Sequence, residues 1–257
     1  MSKESGDQAH YDITNFTIRE MSECGKAVRN ISAGANMEET AGRIVRHLYE
    51  GLVDAKGDKA SALVRFYKTH LFRELDRELQ GFARALLGGE PPSPDMKCLV
   101  LLATAGDKSE WNNRKNSQGH KAIPLTSEEA VKQAPMVSNL IVQLGIPLGL
   151  IIKPEPALLL DMEQRTYNVF HVPDALGSPY IPVQREFVAP FGIRSVLGFG
   201  GLLPSGEMFA VILFFKVPIS REAADLFKAL SLNVKMAVLP FDGAVFFDCT
   251  RGALSRE

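Results

Sequence analysis

The chain is poor in cysteine: it has three in 257 residues, Cys24, Cys98 and Cys249, far apart and with neither a CxxC pair nor a histidine at metal-ligand spacing. This argues against a disulfide framework and supplies no metal motif. Cys98, inside an apolar run, reads as a small buried hydrophobe. An excess of charge is also missing. The formal net charge is -1, with Lys and Arg spread along the chain, so nothing points to nucleic acid or an anionic membrane as partner. No apolar run reaches the roughly 18 residues of a membrane span; Leu140 to Ile152 is shorter and is interrupted by Pro147. The opening MSKESGDQAHYD is polar and has no apolar core, so it reads as neither signal peptide nor anchor, and a cytoplasmic location is expected. Internal repeats and low-complexity tracts are absent, as are a Ser-His-Asp order, HExxH, DxDxDG and a Walker pattern. No catalytic mechanism can be assembled from what remains, and the chain is not expected to be an enzyme.

What is present is a full core. An apolar share of 46% with 23% charged residues is ordinary for a globular protein, and the length suits one domain with extensions. The richest stretch is FGIRSVLGFGGLLPSGEMFAVILFF, from Phe191 to Phe215. Two runs rich in Val, Ile, Leu and Phe, Ser195 to Leu203 and Met208 to Phe215, flank Pro204-Ser205-Gly206-Glu207, whose Pro and Gly suit a tight reversal. A hairpin is predicted there. Ser220 then caps a helix whose apolar positions Ala223, Phe227, Leu230, Val234 and Val238 recur at helical spacing until Pro240. Gly198, Gly200 and Gly201 lie in a strand before a hairpin, so backbone curvature or close approach explains them better than phosphate binding.

Further upstream, Met21, Cys24, Val28 and Ile31 form a narrow helical stripe, either a pairing seam or a helix lying on its own domain. Asn36 with Glu39 reads as a capping pair opening a second helix. Ala62 to Thr69 has the mixed polarity of a half-exposed strand, Leu75 to Leu86 a third helical stripe, and Cys98 to Ala103 the continuous apolarity of a central strand. Thr104 to Lys121 is polar, holds the only Trp, and reads as a long loop. Thr126 or Ser127, with Glu128 and Glu129, opens a helix interrupted near Pro135, and Tyr167 to Val172 is a strand candidate. A short turn of helix is allowed around Val183 to Val188. The fold class is α+β.

This element order, with the words HLYEGLVD, CLVLLATAGD, WNNR, FHVPDALGSPYIPVQREFV and IRSVLGFGGLLPSGEMFAVILF, resembles GAF-like input domains found ahead of bacterial histidine kinases and diguanylate cyclases. The resemblance implies a GAF-like central antiparallel sheet with helices packed on one face and a ligand pocket on the other. It divides the chain into an N-terminal extension (1–35), a sensory domain (36–240) and a tail or the start of a connecting helix (241–257). It implies a small-molecule ligand, a kinase or cyclase output module and a homodimer, for which the Met21 to Ile31 stripe is the candidate seam. The pocket is expected between the sheet, the 107–121 loop, the Ser127 to Leu144 helix and the 175–188 segment. The cyclic-nucleotide signature, a cysteine beside a pocket histidine for a bilin, and the several cysteines of the free methionine sulfoxide reductases are all missing.

Candidate ligand-binding residues are Trp111, Arg114 and His120 on the polar loop, where Ser117 is also near, His171 in the strand candidate, and Tyr180, Gln184 and Arg185 on the covering segment. For each there is a structural reading: Trp111 as a latch, His171 as a core histidine, the others as surface or packing groups. Either histidine could ligate haem, so the cofactor stays open. Two other functions remain: a redox enzyme on this fold using Cys98, and a ligand-free dimerisation module.

Overall fold

The computed structural model describes residues 9–31, 33–117, 119–152 and 168–243. Cys249, Tyr167, the residues before 9 and the tail beyond 243 lie outside the described residues. A two-residue strand β1 (Tyr11–Asp12) leads into α1 (Ile18–Arg29), and α2 (Met37–Gly51) runs into β2 (Leu52–Val53), which pairs in parallel with β1. The main sheet is built from β3 (Ser61–Leu71), β4 (Lys97–Gly106), β5 (Ala122–Leu125), β6 (Phe170–Val172), β7 (Ser195–Leu202) and β8 (Met208–Phe215). Its order is β5-β4-β3-β8-β7-β6, antiparallel throughout. Between these strands lie α3 (Arg77–Leu86), α4 (Glu128–Lys132), α5 (Pro135–Leu144) and α6 (Leu148–Ile152), and α7 (Arg221–Val238) follows β8. The predicted α+β sheet is therefore present, with the hairpin at its predicted place.

Local chemistry sets the element ends. Asn36 accepts from Glu39 N, while the Glu39 carboxylate reaches Ala35 N, one residue earlier than in a standard capping box. Thr17 and Glu20 cap α1 reciprocally, and Ser220 accepts from Ala223 N to open α7. Pro135 stands in the first turn of α5, where its missing N–H costs nothing, so the interruption expected there is a new helix start.

Both sheet faces are covered. On one, Phe66, Phe199, Phe209 and Phe215 pack under α1, α2, α3 and α7. On the other, Leu101, Ile212 and Phe214 pack under α4 to α6 and the 168–193 segment. This corrects the half-exposed reading of β3, which is buried along almost its whole length: its polarity alternates, but an apolar layer lies on each side. The stripe on α1 is not a free pairing seam, one of the two expectations, but the face by which the helix lies on its own domain. Cys24 and Val28 are buried in the first core, with Met21 and Ile31 packed against it, and Gly25 lets α1 approach Asn233 of α7, where a Cβ would meet the Asn233 side chain at 2.7 Å.

Two glycines in β7 differ in what they make room for. A Cβ on Gly200 would stand 2.1 Å from the Phe209 carbonyl oxygen, whereas one on Gly198 would meet the end of the Leu140 side chain at 2.7 Å. A backbone atom paired in the sheet cannot yield, but a leucine methyl can. We expect Gly200→Ala to destabilise by about 3 kcal/mol and Gly198→Ala by about 1 kcal/mol in urea unfolding. Equal losses would show that the close strand approach at Gly200 does not constrain the fold.

Candidate functional site

The 107–121 loop is tied down at both ends of its span. Its first turn is the 3-10 segment Ser109–Asn112, whose Asn112 side chain bonds back to Gly106 N and O at 3.2 and 2.9 Å. Trp111 leans on Phe191 and Phe187, with ring centroids 4.6 and 5.6 Å away, and so acts as a latch onto the 184–193 segment. Arg114 points the opposite way. Its Nε and Nη2 grip the Glu38 carboxylate of α2 at 2.6 and 2.8 Å, in the bidentate geometry a guanidinium favours. The loop thus touches the second core and the helix layer over the first.

Beyond these anchors the loop meets the sheet. Ser117, buried, accepts from Arg65 Nη2 at 3.0 Å, and Arg65 Nη1 donates to the Tyr67 hydroxyl at 3.2 Å. Thr104 is the register partner of Arg65 on β4, so the two side chains stand side by side on one face. The Thr104 hydroxyl and Arg65 Nε are buried and have no hydrogen-bond partner. Next along the chain, His120 is exposed and holds φ +53 directly after Gly119 at φ +71, two left-handed residues that turn the chain into β5. Desolvation, and then the nearby Arg65 charge, hold the His120 imidazole below its ordinary pKa. It is neutral near pH 7.

The other candidates do not join this cluster. His171 sits on edge strand β6 with Nε2 3.0 Å from the Ile219 carbonyl oxygen, and its backbone N–H donates to Gln143 at 3.1 Å. Burial lowers its pKa, so the neutral ring donates to that carbonyl. Gln184 is an internal brace: its amide nitrogen donates to the Ile181 and Ala175 carbonyls at 2.7 and 2.9 Å, and its oxygen accepts from Gly177 N at 2.8 Å. Tyr180 and Arg185 are exposed on the same segment. Of the named residues the structure gathers Trp111 and His120 on the loop beside the sheet, and sends Arg114 to α2. Arg65, Tyr67 and Thr104 were missed; their only signal was an arginine inside an otherwise apolar strand.

Cys98 is buried in the first core, and burial pushes its thiol up to about 12, so it is protonated at neutral pH and shielded from reagents. Among the described residues no group of three His, Cys, Asp or Glu is placed to hold a metal ion. A groove of about 710 Å³ opens where the edge of β4 at Leu102 to Thr104 meets the first turns of α2 and the 112–115 stretch of the loop. Its walls carry both signs of charge, including Arg43, Arg46 and Asp76.

The strand order and the two covered faces define an α+β domain built on one six-stranded antiparallel sheet. No protein-family model matches the chain, and no curated protein matches it. Among solved structures it is similar to the free methionine-R-sulfoxide reductase of Neisseria meningitidis in complex with its substrate, at 11% identity over 91% of this chain and 96% of that one, TM-score 0.44. It is also similar to the GAF domain of a phosphoenolpyruvate-protein phosphotransferase from Coxiella burnetii, at 13% identity over 87% and 94%, TM-score 0.41. A third is a bacteriophytochrome from the photosynthetic bacterium R. palustris, at 8% identity, with 87% of this chain covering 37% of that one and a TM-score of 0.37. Likeness at this level carries neither ligand nor chemistry across.

The Arg114 to Glu38 pair generates a measurable expectation. Glu38→Ala should cost about 2 kcal/mol in thermal unfolding, because it removes a charge-assisted pair from a buried guanidinium. Hydrogen exchange in residues 108–117 should rise with it. Unchanged exchange would show that the loop is held without α2.

Proposed function

We propose that this chain is a GAF-like sensory input domain that binds a small molecule on the sheet face beside the 107–121 loop and reports its occupancy through that loop. One observation carries the reading. The same loop contributes Ser117 to the Arg65 patch, lays Trp111 on Phe187 and Phe191, and fixes Arg114 to Glu38 on the outer helix α2. A ligand that favours one arrangement of the loop shifts its population, and the helix layer feels the shift.

On this reading the protein works in the cytoplasm of a bacterium as a homodimer, coupled to an output module of the histidine kinase or diguanylate cyclase type, and performs no catalysis itself. Burial of Cys98 speaks against the redox alternative. Support for a dimer comes from the helix layer, where α7 exposes Leu232 (62%) and Met236 (49%) one turn apart and α1 exposes Ile18 (71%).

Trp111, the only tryptophan of the chain, reports on the loop directly. A panel of neutral, cationic and anionic metabolites is expected to contain at least one compound that raises Tm saturably and shifts the Trp111 emission. If none does, and protein purified from cells shows the bare chain mass in native mass spectrometry, the sensory reading fails. Light scattering at tens of micromolar is expected to show a dimer that Leu232→Glu with Met236→Glu converts to monomer. A wild-type monomer would remove the dimer from the proposal.

A further inference from the structure

Four polar side chains on one sheet face present donors with no anion to receive them. Arg65 donates to the Tyr67 and Ser117 hydroxyls. Each hydroxyl that accepts from the guanidinium keeps its own O–H free to donate, and among the described residues no carbonyl or carboxylate takes either proton. Among the described residues the Thr104 hydroxyl and Arg65 Nε have no hydrogen-bond partner. Other buried cations are matched: Lys97 with Glu207 at 2.9 Å, Arg114 with Glu38 at 2.6 Å and Lys121 with Glu78 at 2.8 Å. Lys68 also lacks a carboxylate at contact distance, but its Nζ donates to the Thr69 carbonyl. Arg65 is half-buried and reaches the surface beside the exposed His120.

We infer that the Arg65 patch is an oxyanion-binding site, taking the carboxylate or phosphate group of the sensed molecule. The inference rests on the ligand-binding reading above and adds the charge class. A planar guanidinium flanked by two hydroxyls, with Thr104 beside it on the neighbouring strand, offers N–H and O–H donors to two or three oxygens, and the apolar surroundings of Leu101, Ile212 and Phe214 strengthen those bonds by excluding water. An arginine kept on this face without an acid is a feature that stability alone does not favour, since an apolar side chain of similar length would sit there without desolvating a charge.

The test compares wild type, Arg65→Met and Arg65→Lys, as full chains, in thermal shift and Trp111 fluorescence with inorganic phosphate, acetate and succinate, against sodium chloride at matched ionic strength. Wild type is expected to gain Tm saturably with phosphate or with the carboxylates, and which arm responds tells the two sources apart. Arg65→Met should weaken that response at least about tenfold, and Arg65→Lys, which keeps the charge and loses the fork, should fall between. Without added anion, Arg65→Met should be no less stable than wild type. The inference is overturned if Arg65→Met or Arg65→Lys keeps the full response, if no oxyanion acts beyond chloride, or if Arg65→Met is markedly less stable, which would make Arg65 a structural group. Should neutral or cationic metabolites stabilise wild type while every oxyanion fails, the charge class is wrong and the sensory reading survives. If nothing in either series stabilises it, both fall.

Discussion

The pairing of β3 with β8 is the contact on which the rest of the domain hangs. It sets Arg65 opposite Ile212 and Lys68 opposite Phe209, residues far apart in sequence, and so places the N-terminal strand pair beside the C-terminal hairpin. With β3 central and both faces covered, polar groups that enter the sheet must find partners within the protein. The end of the sheet shows how this is met. Lys97 reaches both Glu207 and the Gly206 carbonyl, Thr69 donates to Glu207, and Thr69 Oγ1 accepts from Met208 N at 2.8 Å. One half-buried carboxylate thereby pins the hairpin turn to β3 and β4.

Judged by the same rule, Arg65 stands out. It occupies a middle position of β3 beside the polar loop, with hydroxyls but, among the described residues, no acid bonded to it. Backbone irregularity accumulates nearby: β4 bulges opposite Phe66 and Tyr67, and the loop returns to β5 through the left-handed pair Gly119 and His120. A second register shift lies between Ser61 and Leu63 in the pairing of β3 with β8, so β3 is irregular against both of its neighbours.

The loop beside this patch belongs to neither layer alone. Trp111 is held by aromatic contact on one side and Arg114 by a bidentate ion pair on the other, and Ser117 follows three residues after Arg114. The sheet face at Arg65 and the first turn of α2 are therefore joined through a few residues of covalent chain.

Much of the architecture was legible in the sequence because it is local. The Pro-Ser-Gly turn, the Ser220 cap, the Asn36 and Glu39 pair and the new helix at Pro135 follow from backbone torsions and side-chain bonds within a few residues. The α+β class and the GAF-like resemblance followed from their order. For the site, the loop with Trp111, Ser117 and His120 was visible as an aperiodic polar stretch. The use of Gln184 and His171 as braces was not, because their partners, Ala175, Ile181 and Ile219 carbonyls, are backbone groups that no side-chain pattern advertises. Nor did the stripe on α1 say that α7 would cover it, since periodicity marks a buried face without naming what buries it. Only the tertiary structure decided that Arg65 lacks an acid, for the absence of a partner is a property of everything packed around a residue, and that neighbourhood is assembled from β3, β4 and the loop after them.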